Sequence, residues 1–138
     1  MDTPSPYIEL GSKIRMKREQ ETVKALFAKL LQSPLQTFPE YRGKLNAPTG
    51  QGVYIIYDPR GRVAHVGSTP RAKGGIAQRL RNHMAGASSF TRVKFNRDGS
   101  KLRGKYKFQC IEVRVKRCRA FLEAYAIGTL CPTHIGIG

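Results

Sequence analysis

Five side chains of types that move protons or hold charge follow one another along the second half of this sequence: Tyr54, His65, Arg79, His83 and Glu123. A phenol and an imidazole give and take protons, the imidazole near neutral pH. A guanidinium offers a planar fork of donors that matches a phosphate. Glu123 is the only charged residue in the run AFLEAYAIGTL at 120–130, where apolar neighbours surround it on the helical wheel. A helix of that composition is expected to be largely buried, and a glutamate in it has to meet a cation. Two partners qualify: an arginine or lysine in a structural ion pair, or a divalent metal completed by water and phosphate oxygens.

Three consecutive elements must position the first four of these groups. The runs GVYIIYD and RVAHVGS flank Asp58-Pro59-Arg60-Gly61. β-branched and aromatic residues on either side of turn chemistry predict a β-hairpin over about 52–68, with Tyr54 and His65 near the middle of its strands. Gly74 and Gly75 then lead into a helix from about Ile76 to Ala85. Ile76, Ala77, Leu80 and Met84 make its buried stripe. Arg79 and His83 share one border of that stripe, within reach of a ligand, and Arg81 lies on the opposite side. The segment PRAKGG before this helix places Lys73 beside two glycines, a weak phosphate cradle whose spacing does not match a Walker-type loop.

Residues 88–105 interleave Phe90, Val93 and Phe95 with Arg92, Lys94, Arg97, Lys101, Arg103 and Lys105. Such a loop either stacks bases and pairs phosphates, or uses its aromatics to anchor itself to the core. A third strand is expected near 106–115, and the change of phase in its alternation between Cys110 and Ile111 points to either a bulge or a one-sided end. The last helix follows over 117–130. Upstream, residues 1–11 are expected to be a poorly ordered tail. A helix from Ser12, stopped before Pro34, carries the stripe Val23, Leu26, Phe27, Leu30 and Leu31. Pro34, Pro39, Gly43, Pro48 and Gly50 mark a connecting segment. The chain therefore divides into a tail (1–11), a helix with its connector (12–50) and a main domain (51–138), a total length suited to one core.

The net charge is +16, and it is uneven: residues 51–138 hold 17 Lys/Arg against 4 Asp/Glu, residues 1–50 only 8 against 5. That balance points to a polyanion, nucleic acid ahead of anionic membrane because no basic amphipathic helix dominates. No run approaches the ~20 apolar residues of a membrane span, and MDTPSP is not a signal peptide, so a soluble cytoplasmic protein is expected. Cys110, Cys118 and Cys131 are odd in number and lack C-x-x-C spacing, which argues against a disulfide framework or zinc cluster and for buried free thiols in a reducing compartment.

Taken in order, Gly52-Val53-Tyr54, His65-Val66-Gly67, Arg79 and His83 in QRLRNH, and Glu123 in FLEAYAIGTL resemble the motifs of the GIY-YIG nuclease superfamily over roughly residues 50–138. The resemblance implies a mixed α/β (α+β) fold: a small three-stranded antiparallel sheet flanked by helices, here with an N-terminal helix appended. It also implies metal-dependent hydrolysis of phosphodiester bonds in DNA. Tyr54 would activate the attacking water, Arg79 steady the scissile phosphate, His83 assist one or the other, and Glu123 hold a single divalent ion, Mg²⁺ with Mn²⁺ as the alternative. Lys73, Arg81, Arg92, Lys94, Arg97, Lys101, Arg103 and Lys105 are the expected nucleic-acid contacts. DNA is expected ahead of RNA, with site choice left to residues 1–50 and the 88–105 loop, to a partner protein, or to the shape of the substrate.

Two departures from the family pattern stand out. The second motif usually begins with tyrosine, and this chain has His65. An imidazole of unperturbed pKa ~6.5 is a better neutral-pH base than a phenol at ~10. The change either keeps the proton chemistry or marks a catalytically inactive nucleic-acid-binding relative. Where many members carry an asparagine after the last helix, this chain has Cys131-Pro132-Thr133-His134, in which His134 either substitutes for the asparagine or, the favoured expectation, is a lone surface residue. A basic RNA-binding protein and a structural partner in a larger assembly are the other classes that fit the charge.

Overall fold

The apolar run at 52–57 becomes a strand covered on both faces, and the remaining elements are arranged about it. A computed structural model describes residues 6–70 and 73–136. In chain order it contains α1 (Pro6–Gln32), β1 (Gln36–Thr37), β2 (Gly52–Tyr57), β3 (Val63–Ser68), α2 (Gly75–Met84), α3 (Ser89–Phe95), a 3₁₀ turn (Gly99–Leu102), β4 (Lys107–Glu112) and α4 (Lys116–Leu130). The sheet is antiparallel, in the order β1-β4-β2-β3. Three six-residue strands match the expected sheet, and the two-residue β1, drawn from the connecting segment, adds a fourth at the edge.

Side chains alternate across a strand, so β2 sends Tyr54 and Ile56 to one face and Val53 and Ile55 to the other. The first face packs on α2 and α3 through Ile76, Leu80, Phe90 and Phe95. The second packs on α1 and α4 through Leu30, Leu122 and Ala126. Two-sided cover explains why GVYIIY has no polar alternation. The same cover explains β4, whose phase change is not a bulge: its pairing with β2 runs unbroken from Gly52 opposite Glu112 to Tyr57 opposite Lys107. Gln109 is buried on the α1 side, where its amide donates to the carbonyls of Leu31 (3.3 Å) and Ser33 (3.1 Å) and its Oε1 accepts from the Tyr57 hydroxyl. It ties the end of α1 to the sheet.

The turn of the hairpin forms as its residues predict. The Asp58 carbonyl accepts from Gly61 N–H (2.9 Å), and its carboxylate accepts from the N–H groups of Arg60 and Arg62 (2.9 Å each) and from Arg62 Nε (2.8 Å). The stripe on α1 docks on the domain through Val23, Leu26, Phe27 and Leu30, with the Phe27 ring edge-on to Tyr125 at 5.1 Å. Leu31, expected in that stripe, is exposed. The helix begins at Pro6 rather than Ser12, and the part of the expected tail at residues 1–5 lies outside the described residues. No helix among the described residues is long and apolar enough to cross a membrane. The cysteines are free, Cys110 and Cys118 half-buried and Cys131 exposed, so burial of all three is not found.

Candidate active site

Tyr54 on β2 pairs with Gly67 on β3, and Ile56 pairs with His65, so phenol and imidazole leave the same face of the sheet. The phenol lies across Gly67: a Cβ added there would sit 2.3 Å from Tyr54 Oη. A glycine at this position is what lets the ring reach over β3. The hydroxyl ends 2.7 Å from His83 Nε2 on α2. His83 Nδ1 in turn lies 2.6 Å from Ser88 Oγ, at the N-cap of α3.

His83 is 0% exposed. The expectation of a border position within reach of a ligand is therefore corrected. The reason is α3, which stands where a basic loop was expected. Its Phe90 packs against the rings of His65 (5.0 Å) and His83 (5.8 Å) and closes the space over them. Phe90 and Phe95 are both buried, so the aromatics of this segment anchor it and do not offer stacking faces. Arg79, one turn before His83, is half-buried at the border as expected.

His134 was expected at the surface, and the structure places it in this cluster. After α4 the chain turns along the free edge of β3, where Thr133 and His134 N–H groups donate to Val63 O (3.1 Å) and Ala64 O (3.0 Å). That brings His134 Nδ1 to 3.2 Å from His65 Nδ1. All three histidines of the chain gather on one side of the sheet, His65 at 5.2 Å ring-to-ring from each of the other two.

Burial governs how these groups titrate. It lowers His65 to about 3, with the nearby charges of His134 and Arg79 acting the same way. It holds His83 well below the ordinary imidazole value, again helped by His65 and Arg79. It raises the Tyr54 phenol, which the positive charge of Arg79 opposes. At neutral pH both imidazoles are thus uncharged and the phenol keeps its proton.

Beside the cluster lies a cavity of about 470 Å³ whose wall includes His65, Gly67, Arg79, Arg92, Glu123 and His134. Tyr54 is not on that wall and has no exposed surface. Glu123 reaches the cavity from α4, which is not the largely buried helix expected. Only Arg119, Leu122 and Ala126 of α4 are buried, because it packs on α1 and the sheet along one side. Glu123 is half-exposed, so desolvation does not force a cation on it. Among the described residues no hydrogen bond or ion pair reaches its carboxylate; the ion pairs there are Asp58 with Arg62 and Glu19 with Arg117. Arg79 lines the same cavity without pairing to Glu123, and its Nε is buried with no hydrogen-bond partner.

These residues fit a hard divalent ion of the magnesium kind. No group of three or more His, Cys, Asp or Glu converges on one point among the described residues. A zinc-type site built from several protein ligands is therefore not offered. One free carboxylate on a wet cavity is enough for an ion that keeps most of its waters and takes phosphate oxygens as further ligands.

Of the remaining basic positions, Arg92 joins the cavity wall. Lys73, Lys94, Arg97, Lys101 and Lys105 are exposed outside it. Arg81 and Arg103 line a different cavity with Lys44, and Arg103 Nη1 donates to the carbonyls of Pro39 (3.4 Å) and Glu40 (3.2 Å). Sequence reasoning missed Ser88 and Thr91, whose signal was a serine three residues ahead of a threonine at a helix start. It also missed Arg119, buried with its guanidinium donating to Val113 O (3.1 Å) and Arg114 O (3.3 Å).

No protein-family model matches the chain, and no curated protein matches it. Among solved structures it is similar to the GIY-YIG N-terminal endonuclease domain of UvrC from Thermotoga maritima, in a point mutant bound to its catalytic divalent cation. The two share 22% identity, over 67% of this chain and 90% of that one, with a TM-score of 0.48. A likeness of that size leaves activity and substrate to the residues of this chain.

Proposed function

We propose that this chain is a divalent-metal-dependent endonuclease that hydrolyses phosphodiester bonds in DNA. The observation that carries the reading is the pair of opposite charges, Arg79 and Glu123, on one cavity wall and not spent on each other. A guanidinium on the cavity wall suits a phosphate oxygen, and an unpaired carboxylate suits a cation that would offset the charge of the same phosphate. A bound ion of the Mg²⁺ type, or Mn²⁺, would supply positive charge to the phosphate and acidity to a coordinated water.

In this reading Arg79, with Arg92 beside it, holds the scissile phosphate, and Glu123 fixes the place of the ion. Hydrolysis forms one P–O bond from water and breaks the P–O bond to the sugar, so a proton must leave the water as it attacks. In this reading His65, neutral and on the cavity wall, receives it, or Tyr54, immediately behind Gly67, takes it while giving its own hydroxyl proton to His83. His83 stands behind Tyr54 and cannot touch substrate. Lys73, Lys94, Arg97, Lys101 and Lys105 extend a basic surface along which a DNA backbone can track.

Incubation of supercoiled plasmid with Mg²⁺ or Mn²⁺ tests the proposal. The wild-type chain should cleave, and Glu123→Ala and Arg79→Ala should each cost on the order of 10²–10³-fold in rate, the usual loss when one group stabilising transition-state charge is removed. Equal cleavage by wild type and Glu123→Ala would sink the mechanism. A second reading, a nucleic-acid-binding module without catalysis, draws on the full burial of Tyr54. It predicts salt-dependent binding that EDTA does not change, with no cleavage of linear, branched or single-stranded DNA or of RNA.

A further inference from the structure

We infer that Ser88 is a positioning residue of this site: together with Thr91 it fixes His83 in the tautomer whose bare Nε2 accepts the Tyr54 proton. The assignment follows from counting hydrogens along one buried chain of contacts. Tyr54 Oη is 2.7 Å from His83 Nε2, His83 Nδ1 is 2.6 Å from Ser88 Oγ, and Ser88 Oγ is 3.0 Å from Thr91 Oγ1. Thr91 Oγ1 donates to the Ser88 carbonyl at 3.2 Å. A carbonyl only accepts, so the threonine hydrogen is directed there and its oxygen is left to accept from Ser88 O–H. Ser88 Oγ then has lone pairs for the Thr91 N–H, 3.2 Å away, and for an N–H on His83 Nδ1.

A neutral imidazole carries one hydrogen. With it on Nδ1, Nε2 is bare and takes the hydrogen of the Tyr54 hydroxyl. Every hydrogen in the chain then has one acceptor. Reversing the chain would put the imidazole hydrogen on Nε2 and aim it at Tyr54 Oη. The phenol hydrogen would then have no acceptor, because the other group that bonds this hydroxyl, the Arg79 guanidinium, only donates. A buried hydroxyl without an acceptor is the costlier arrangement. The N-cap of α3 is thus also the far end of the phenol's proton path, and it leaves the lone pairs of Tyr54 Oη to the Arg79 guanidinium.

This inference takes its catalytic meaning from the nuclease reading, but the tautomer can be observed without any reaction. With three histidines in the chain, long-range ¹H–¹⁵N correlation on protein labelled at histidine nitrogen gives three ring patterns, and His83 is assigned by its loss in His83→Gln. The expected wild-type result is a protonated-type nitrogen at Nδ1 and an unprotonated-type nitrogen at Nε2. Thr91→Val keeps the size of the side chain and frees the Ser88 hydrogen to turn toward Nδ1, so it should shift population to the Nε2–H form. Ser88→Ala should do the same, and Ser88→Thr, which keeps a hydroxyl, should retain Nδ1–H. A wild-type His83 in the Nε2–H form overturns the inference, as does a ring pattern unchanged in Thr91→Val. If the chain cleaves DNA, Thr91→Val should lower kcat by about tenfold or more with KM unchanged, since a misdirected proton acceptor affects only the chemical step. Expected tautomers with no cleavage by any variant would leave the hydrogen-bond chain standing and remove the nuclease reading.

Discussion

Acidification from pH 7 to pH 5 should weaken this fold through its histidines, before any carboxylate is involved. His65 and His83 are buried and uncharged in the folded chain, His65 with its pKa lowered to about 3 and His83 held well below the ordinary value of 6.5. In the unfolded chain each takes up a proton near pH 6.5. Between the folded and unfolded values the unfolded state binds more protons, so stability rises with pH there. It is complete above about pH 6.5 and is lost progressively as pH falls, down to about 3 for His65. At pH 5 the His65 ring is about 1.5 pH units below its unfolded value, and at about 1.4 kcal/mol per unit that is about 2 kcal/mol. His83 is shifted in the same direction and adds to that loss, against the ~5–15 kcal/mol typical of a domain. His134 is shifted in the same direction by burial and adds to the effect.

The carboxylates that are shifted, Glu19, Asp58 and Asp98, are all lowered, so their contribution begins only below about pH 4.5. The window from 6.5 to 5 therefore belongs to the imidazoles. Urea unfolding followed by circular dichroism at pH 7, 6.5, 6, 5.5 and 5 should show a falling midpoint at constant slope m. In His65→Phe the part of the fall that belongs to His65, about 2 kcal/mol by pH 5, should disappear, since that buried protonation site is gone. A midpoint that does not move between pH 7 and 5, or a pH dependence that His65→Phe leaves intact, would refute the burial argument for the cluster.

Three further outcomes follow from single contacts. Gly67→Ala places a methyl 2.3 Å from Tyr54 Oη and 2.5 Å from its Cζ, so the ring must move; about 1–3 kcal/mol of stability should be lost in thermal melts, along with any cleavage activity. Asp58→Ala leaves the N–H groups of Arg60 and Arg62 and the Arg62 guanidinium without their acceptor, and urea unfolding should report a loss of about 1–3 kcal/mol with no change in DNA affinity. Arg92→Ala and Arg103→Ala should separate two kinds of basic residue. The first should lower the salt-dependence slope of DNA binding by about 0.9 with little effect on stability. The second, whose guanidinium is bonded to Pro39 and Glu40 carbonyls, should lower the melting temperature and leave the slope alone.

The hairpin was legible in the sequence because its information is local. Asp58, Pro59 and Gly61 specify a turn whatever lies beyond it, and β-branched residues on either side specify strands. The stripe Val23, Leu26, Phe27 and Leu30 was legible for the same reason, since a period of 3.6 needs no knowledge of the partner surface. Residues 88–95 were not. Their cations hid a seven-residue helix whose buried positions, Phe90, Thr91 and Phe95, are too few to display a period. With that helix unseen, nothing could close over His83, and a histidine at a stripe border looked accessible. His134 was lost to a still longer-range cause: its place depends on hydrogen bonds from residues 133 and 134 to the edge of β3, made about 70 residues away in sequence.

Glu123 is the instructive case, because its residue was singled out for a reason the structure does not support. The helical wheel counted Ala120, Ala124 and Gly128 as apolar and inferred burial, yet small side chains can face water at little cost, and these three do. The carboxylate at its half-exposed position could remain hydrated indefinitely without any cation. What sets it apart is instead a relation between two elements: in a chain with 25 Lys and Arg, and with Arg79 on the same cavity wall, the carboxylate has no partner among the described residues. Structural ion pairs do form elsewhere, at Asp58 with Arg62 and Glu19 with Arg117, so the fold does not avoid them. An arginine donor and a carboxylate left apart across a shared cavity suit a ligand that carries negative charge to one and a cation to the other. The missing partner separates Glu123 from other surface carboxylates better than burial does, and it is a property that residues 120–130 alone do not carry.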